Sequence, residues 1–342
     1  MFATYAEKLV GLFDRRFLLA YWAPVVVSSA LAGFVFAAYV DLPTVVAGLA
    51  ALNVASQLVL GFGLLIVSIV AGFLLEALTS PIVRFYEGYN WPRWAADWGT
   101  EHQRKHWDYI SAELSAGVTD HYQEFYFRFP RDREDVLPTR LGNILRAAED
   151  YAYQVYFMDS MIWWPRLATL LPDTFTARID AAITPMYALL NLASLMSAVA
   201  LAGGVIVVWL GDRIDLFVFT FVGGLLLARL CYYAALGPAG GYGNLVRVAF
   251  DFYRADILKQ MRIELPPDRV HERLLWKHLT DRQFGYNARA NLAWPPELTK
   301  ASRRFRFKDT DALRESPNLE LMEITIEGLP KINVRRERVT NA

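Results

Sequence analysis

The sequence predicts an α-helical integral membrane protein with four transmembrane helices in two hairpins and a cytosolic α+β module. Three observations predict it. Of 342 residues, 54% are hydrophobic and 20% charged, too apolar for an average soluble domain and too charged for a chain wholly in lipid. The apolar residues gather in four long runs, at 17–40, 44–75, 186–210 and 214–236, each long enough for a bilayer of about 30 Å, which needs ~20 residues. The charges fall between and after these runs, and Arg229 is the one charge well inside them.

Taken in chain order, residues 1–16 place Phe2, Tyr5, Leu9, Leu12 and Phe13 at helical spacing opposite Glu7, Lys8 and Arg15. This pattern predicts a short amphipathic helix in the interface, and the start lacks the cleavage site of a secretory signal peptide. Residues 17–76 form the first hairpin. The run 44–75 would reach roughly 48 Å as one helix, so a tilted or projecting helix is expected. Residues 77–185 form a cytosolic insertion: a helix over 92–116, a strand over 121–129 ("HYQEFYFRF") on the alternation of aromatic and polar side chains, and a helix from "LPTRLGNILRAAEDYAY" with Thr139 as N-cap. Its apolar face is Leu141, Ile144, Leu145 and Ala148. Trp163, Trp164 and Arg166 are expected to return the chain to headgroup level. Residues 186–236 form the second hairpin, closed by "GDRI". In 237–342, the glycines at 237, 240, 241 and 243 predict a hinge at the membrane exit, and 269–284 a helix. The stretch "LELMEITIEGLPKINVRRERV" predicts a terminal β-hairpin with Glu320, Glu323 and Glu327 across from Arg335, Arg336 and Arg338. Lys8, Arg15, Arg16, Arg84, Arg93, Arg104, Lys105, Arg247, Arg254 and Lys259 all flank one end of the spans. The positive-inside rule therefore places both termini and the insertion in the cytoplasm.

Two motifs carry a resemblance. "LPTRLGNILRAAEDYAY…WWPRL" and "YGNLVRVAFDFYRADIL" resemble a group of uncharacterised bacterial four-span membrane proteins, over roughly residues 120–285. The resemblance implies a multi-pass protein of the bacterial inner membrane and implies no catalytic residue.

Chemistry-bearing patterns are few. His102 and His106 lie one helical turn apart, but Gln103 breaks the His-Glu-x-x-His pattern and no third ligand is evident, so no metal is expected. No nucleophile elbow, kinase or nucleotide-binding signature occurs, and no enzymatic activity or cofactor is expected. The glycines near 240 lack the strand and the Gly-Lys-Ser/Thr of a phosphate loop. Within the spans, Asn53, Gln57 and Ser68 on the second helix and Asn191, Ser194 and Ser197 on the third are candidate pore-lining residues; helix packing is the competing reading. Arg229 and Glu76 are candidate intramembrane ion-pair partners. Lys300, Arg303, Arg304, Arg306 and Lys308, alternating with Phe305 and Phe307, suit an anionic ligand. A nucleotide or nucleic acid, a lipid headgroup and a charge-protected edge strand remain open for them.

Two function classes follow. One is a homo-oligomeric channel or pore gated by a cytosolic ligand or partner, with a bacterial defence effector as one form. The other is a non-conducting, membrane-anchored scaffold that docks a cytosolic partner.

Overall fold

The computed structural model describes residues 14–37, 42–210, 214–283, 321–324 and 332–335. The chain divides into two units, Met1–Asn287 and Ala288–Ala342. Every regular element described in the first unit is helical.

Helix α1 starts at Arg15–Phe17, passes a π-turn at Leu18–Trp22 and continues through Ala23–Ala37. The run expected as one helix over 44–75 is two, α2 (Leu42–Ala51) and α3 (Val54–Glu87). Asn53 causes the break: its extended backbone stops α2, and its side chain accepts from Ser56 N at 2.8 Å to cap α3. Gln57 Nε2 then donates to the carbonyls of Leu49 and Leu52, at 3.0 and 3.1 Å, at the end of α2, where Leu49 O also accepts from Leu52 N at 3.3 Å. Helix α8 (Asp173–Leu210) and α9 pair as the second hairpin. α9 runs through Ile214–Phe217, a π-turn at Val218–Gly223, and Gly224–Gln260.

Four helices are long and apolar enough to cross a membrane: Arg15–Val35, Val54–Glu87, Asp173–Trp209 and Ile214–Gln260. At 1.5 Å per residue the last three exceed the bilayer core, so they continue past one end of the spans. These overhangs build a helical module with α4 (Arg93–Ser115), α5 (Tyr122–Arg128), α6 (Arg140–Tyr156), α7 (Ser160–Ala168) and α10 (Arg269–Gln283). The core is continuous from span to module: Met186 and Leu190 of α8 and Ala235 and Ala239 of α9 pack with Leu141, Ile144 and Leu145 of α6.

Three expectations are corrected. The module expected to be α+β is all-helical among the described residues of the first unit. The stretch expected as a strand over 121–129 holds α5 (Tyr122–Arg128), because Tyr122, Phe125 and Tyr126 satisfy helical spacing, and the helix seats Phe125 on Trp107 with ring centroids 5.4 Å apart. The glycine hinge at 237–243 is the uninterrupted interior of α9. There Gly243 faces α6, and a Cβ on it would meet Ala148 Cβ at 3.1 Å; the missing side chain permits close helix packing. Finally, Trp163 is fully buried in the module, edge-on to Trp276 at 5.0 Å, with Nε1 donating to Thr280 Oγ1 at 2.8 Å. It is a core residue, not a headgroup anchor.

In the second unit, β1 (Leu321–Ile324) and β2 (Ile332–Arg335) pair antiparallel. Glu323 stands opposite Asn333, and Arg335 opposite Leu321; the other residues of the expected acidic and basic rows lie outside the described residues. The interfacial helix expected over 1–16 lies, up to residue 13, outside the described residues.

Candidate functional site: the junction of the two motifs

The Leu-Pro-Thr-Arg-Leu-Gly-Asn motif is a joint between the module end of α3 and the starts of α4 and α6. Thr139 caps α6 by accepting from Gly142 N at 3.0 Å and donates its hydroxyl to Tyr86 O at 2.7 Å. Asn143 is fully buried: Oδ1 accepts from Leu137 N at 2.7 Å, and Nδ2 donates to Leu137 O at 3.1 Å and Gln103 Oε1 at 3.4 Å. Pro138 packs where Gly88 and Gly99 have no side chain, and Gly142 lies directly against the Glu87 carbonyl. Gly88, at φ +97°, closes α3 in the left-handed conformation that glycine adopts without strain.

The second motif supplies the opposite wall. Gly243 rests on Ala148, and one turn further Arg247 is 5% exposed. Its guanidinium lies 5.1 Å from the centroids of Tyr126 and Phe127 and 5.8 Å from that of Tyr151. It donates to Tyr126 O at 3.1 Å and Asn244 Oδ1 at 3.4 Å. Asp251 Oδ1 accepts from Tyr151 and Tyr156, at 2.8 and 2.7 Å. Arg254 forms a two-pronged ion pair with Glu272 of α10, at 2.7 and 3.3 Å, and sits 4.0 Å from the Tyr156 ring. Arg247, Asp251 and Arg254 thus form a charged ladder at i, i+4 and i+7 on α9, closed by aromatic rings of α5 and α6. Burial and the bonds to Asp251 push the Tyr156 phenol up to about 12 and raise Tyr151 as well. Both phenols stay protonated as donors, which suits a clamp and not acid–base chemistry.

The span residues singled out in the sequence are scattered. Asn191 is fully buried: Nδ2 donates to Ala20 O of α1 at 3.0 Å and to Thr79 Oγ1 of α3 at 3.1 Å. Ser68 accepts from Trp22 Nε1 at 3.0 Å. Ser194 and Ser197 donate to Leu190 O and Ala193 O of their own helix, at 2.9 and 2.8 Å. Asn53 and Gln57 serve the α2–α3 break. Glu76 is exposed and not paired with Arg229, whose Nη2 donates to Tyr233 Oη at 3.1 Å. Lys300, Arg303, Arg304, Arg306 and Lys308 lie outside the described residues. His102 stacks on Trp98 while His106 approaches Glu124 at 3.6 Å, and among the described residues no group of His, Cys, Asp or Glu could hold a metal ion.

Sequence reasoning missed the Arg247–Asp251–Arg254 ladder. Its signal was three charges at one-turn spacing on a helix whose neighbouring positions are apolar or aromatic. No family model matches the chain, and neither a curated protein nor a solved structure does.

Proposed function

We propose that the chain is a membrane-anchored scaffold whose helical module docks a cytosolic protein partner. The observation that carries this reading is the use of the intramembrane polar side chains. Asn191 and Ser68 bond across helices, Asn53 and Gln57 cap the α2–α3 break, and Ser194 and Ser197 bond to carbonyls of their own helix, which argues against a wet route through a single copy. Exposed aromatics on α4, Trp94 at 77% and Trp98 at 72%, offer the side-chain type on which protein interfaces concentrate binding energy. The basic residues at the module end support a cytoplasmic module on a bacterial inner membrane, in keeping with the bacterial four-span group that the two motifs resemble.

A second reading is a homo-oligomeric channel gated by a cytosolic ligand or partner. One feature favours it: only 11% of the α3 apolar window is buried, against 28–33% for the other spans. Glu76 on that helix is exposed and makes no ion pair with any described residue. A ring of copies would cover that surface.

Ion flux from vesicles reconstituted with the full chain, with and without cytosolic extract, separates the two. The scaffold reading expects leakage within twofold of empty vesicles under both conditions. Stepwise conductance that Gln57→Leu alters would replace it with the channel.

A further inference from the structure

Arg229 stands where a charge is poorly solvated. An apolar run beginning at Ile214 covers about 30 Å in ~20 residues, so Arg229 and Tyr233 occupy the last turns of α9 before the module. Besides its bond to Tyr233, the Arg229 guanidinium lies 5.0 Å from that ring's centroid. Arg140, the first residue of α6, brings a second guanidinium to within 5.8 Å of the same ring. Both arginines are exposed and Tyr233 is 39% exposed. No carboxylate among the described residues forms an ion pair with either arginine.

We infer that Arg140, Tyr233 and Arg229 form a clamp for the phosphate of an anionic phospholipid headgroup. The argument uses the membrane reading of the spans and is independent of whether the chain conducts. Two cations converge on one ring at the module end of the apolar run, within side-chain reach of lipid phosphates, and no carboxylate among the described residues pairs with them. Guanidinium groups match phosphate oxygens through paired N–H donors, and at a headgroup they remain charged without burial in hydrocarbon. The Tyr233 ring holds the two side chains by cation–π attraction, and its hydroxyl, accepting from Arg229, keeps a proton to donate. The start of α6, capped by Thr139, adds the positive end of a 17-residue helix beside Arg140. A headgroup carrying net negative charge satisfies this arrangement; a choline headgroup brings its own ammonium and does not. A lipid held here would bridge α6 to α9 and so tie the motif junction to the bilayer.

The test is native mass spectrometry of the delipidated full chain in neutral detergent, titrated with phosphatidylglycerol or with phosphatidylcholine of the same acyl chains. Phosphatidylglycerol adducts are expected at fivefold or lower concentration than phosphatidylcholine adducts. Arg140→Gln should weaken them two- to threefold, and Arg140→Gln/Arg229→Gln at least fivefold, with thermal unfolding unchanged. Inorganic phosphate at millimolar concentration should not displace the lipid. Equal binding of both lipids, indifference to Arg140→Gln, or full displacement by phosphate would each overturn the clamp. If the double variant fails to fold, Arg140→Gln decides alone, since that exposed side chain makes no ion pair among the described residues and rests on the Tyr233 ring.

Discussion

The α6–α9 junction and the α2–α3 segment are both rich in glycine and amide side chains, and they use them oppositely. At the junction, glycine marks close contact: Gly142 against the Glu87 carbonyl, Gly243 against Ala148, Gly99 against Pro138. Along α3, Gly61 and Gly63 have nothing within 4 Å of where a Cβ would stand. The amides differ in the same way. Asn143 and Asn191 are buried and tie separate elements together, whereas Asn53 and Gln57 are exposed and repair the ends of their own broken helix. Residue type therefore reports what a backbone needs locally, and only packing decides whether the need is a joint or a break.

This contrast predicts a ranking of substitutions, and each prediction can break it. The largest effect belongs to Trp163→Ala. A fully buried tryptophan removed from beside Trp276 should cost about 3–5 kcal/mol, and hydrogen exchange should rise throughout α10 before the spans respond. Gly142→Ala should follow at about 1–3 kcal/mol, because its methyl would press on backbone that has no soft neighbour to move. Gly61→Ala, made as its control, should stay within about 0.5 kcal/mol. Chemical unfolding in lipid–detergent mixtures reads both, and equal values would erase the distinction between the two regions.

Intramembrane amides come next. Asn191→Ala should cost about 0.6–1.7 kcal/mol, the range of interhelical hydrogen bonds in membranes, and the loss should shrink in a Thr79→Ala background because the two share a bond. Gln57→Ala should cost less, since its partners are the exposed carbonyls of Leu49 and Leu52 at the end of α2.

The smallest effect depends on pH. Burial, opposed by the Arg146 ion pair at 3.2 Å and aided by Asp135 and Glu149, raises the Asp150 carboxyl to about 6. An acid whose folded pKa is raised favours folding at low pH and loses that contribution as pH climbs through the folded value. Asp150→Asn should therefore exceed the wild type in stability above pH 7, by on the order of 1 kcal/mol. The difference should fade between pH 6 and 4. A constant difference across that range would mean that Asp150 titrates normally.

Much of the architecture was legible in the sequence. The apolar runs gave the four long helices, Thr139 gave the start of α6, and "EHQRKHWD" lay on the expected helix. The errors have specific causes. At 121–129 aromatic side chains fit both periods, and contact with Trp107 and Tyr151 selects the helix. Around 240, glycines that suggested a hinge lie inside a continuous helix, and one of them, Gly243, packs on a neighbour distant in sequence, Ala148. The break at Asn53 was invisible to hydropathy, which is uniform across it; its signature was an asparagine with a glutamine one turn later. The charged ladder was hidden because each charge alone resembles a solvated helix face, and only tertiary packing encloses Arg247 in three rings.

The claim that intramembrane polar groups hold helices together and line no water path is tested most directly by thiol accessibility. With the buried Cys231 replaced by alanine, Ser68→Cys, Ser194→Cys and Ser197→Cys introduce thiols at nearly constant volume. The account predicts that all three resist a charged, membrane-impermeant thiosulfonate added to both faces of reconstituted vesicles, while a cysteine at exposed Trp98 reacts fully. Rapid modification at Ser194 and Ser197 would contradict it and show water along α8.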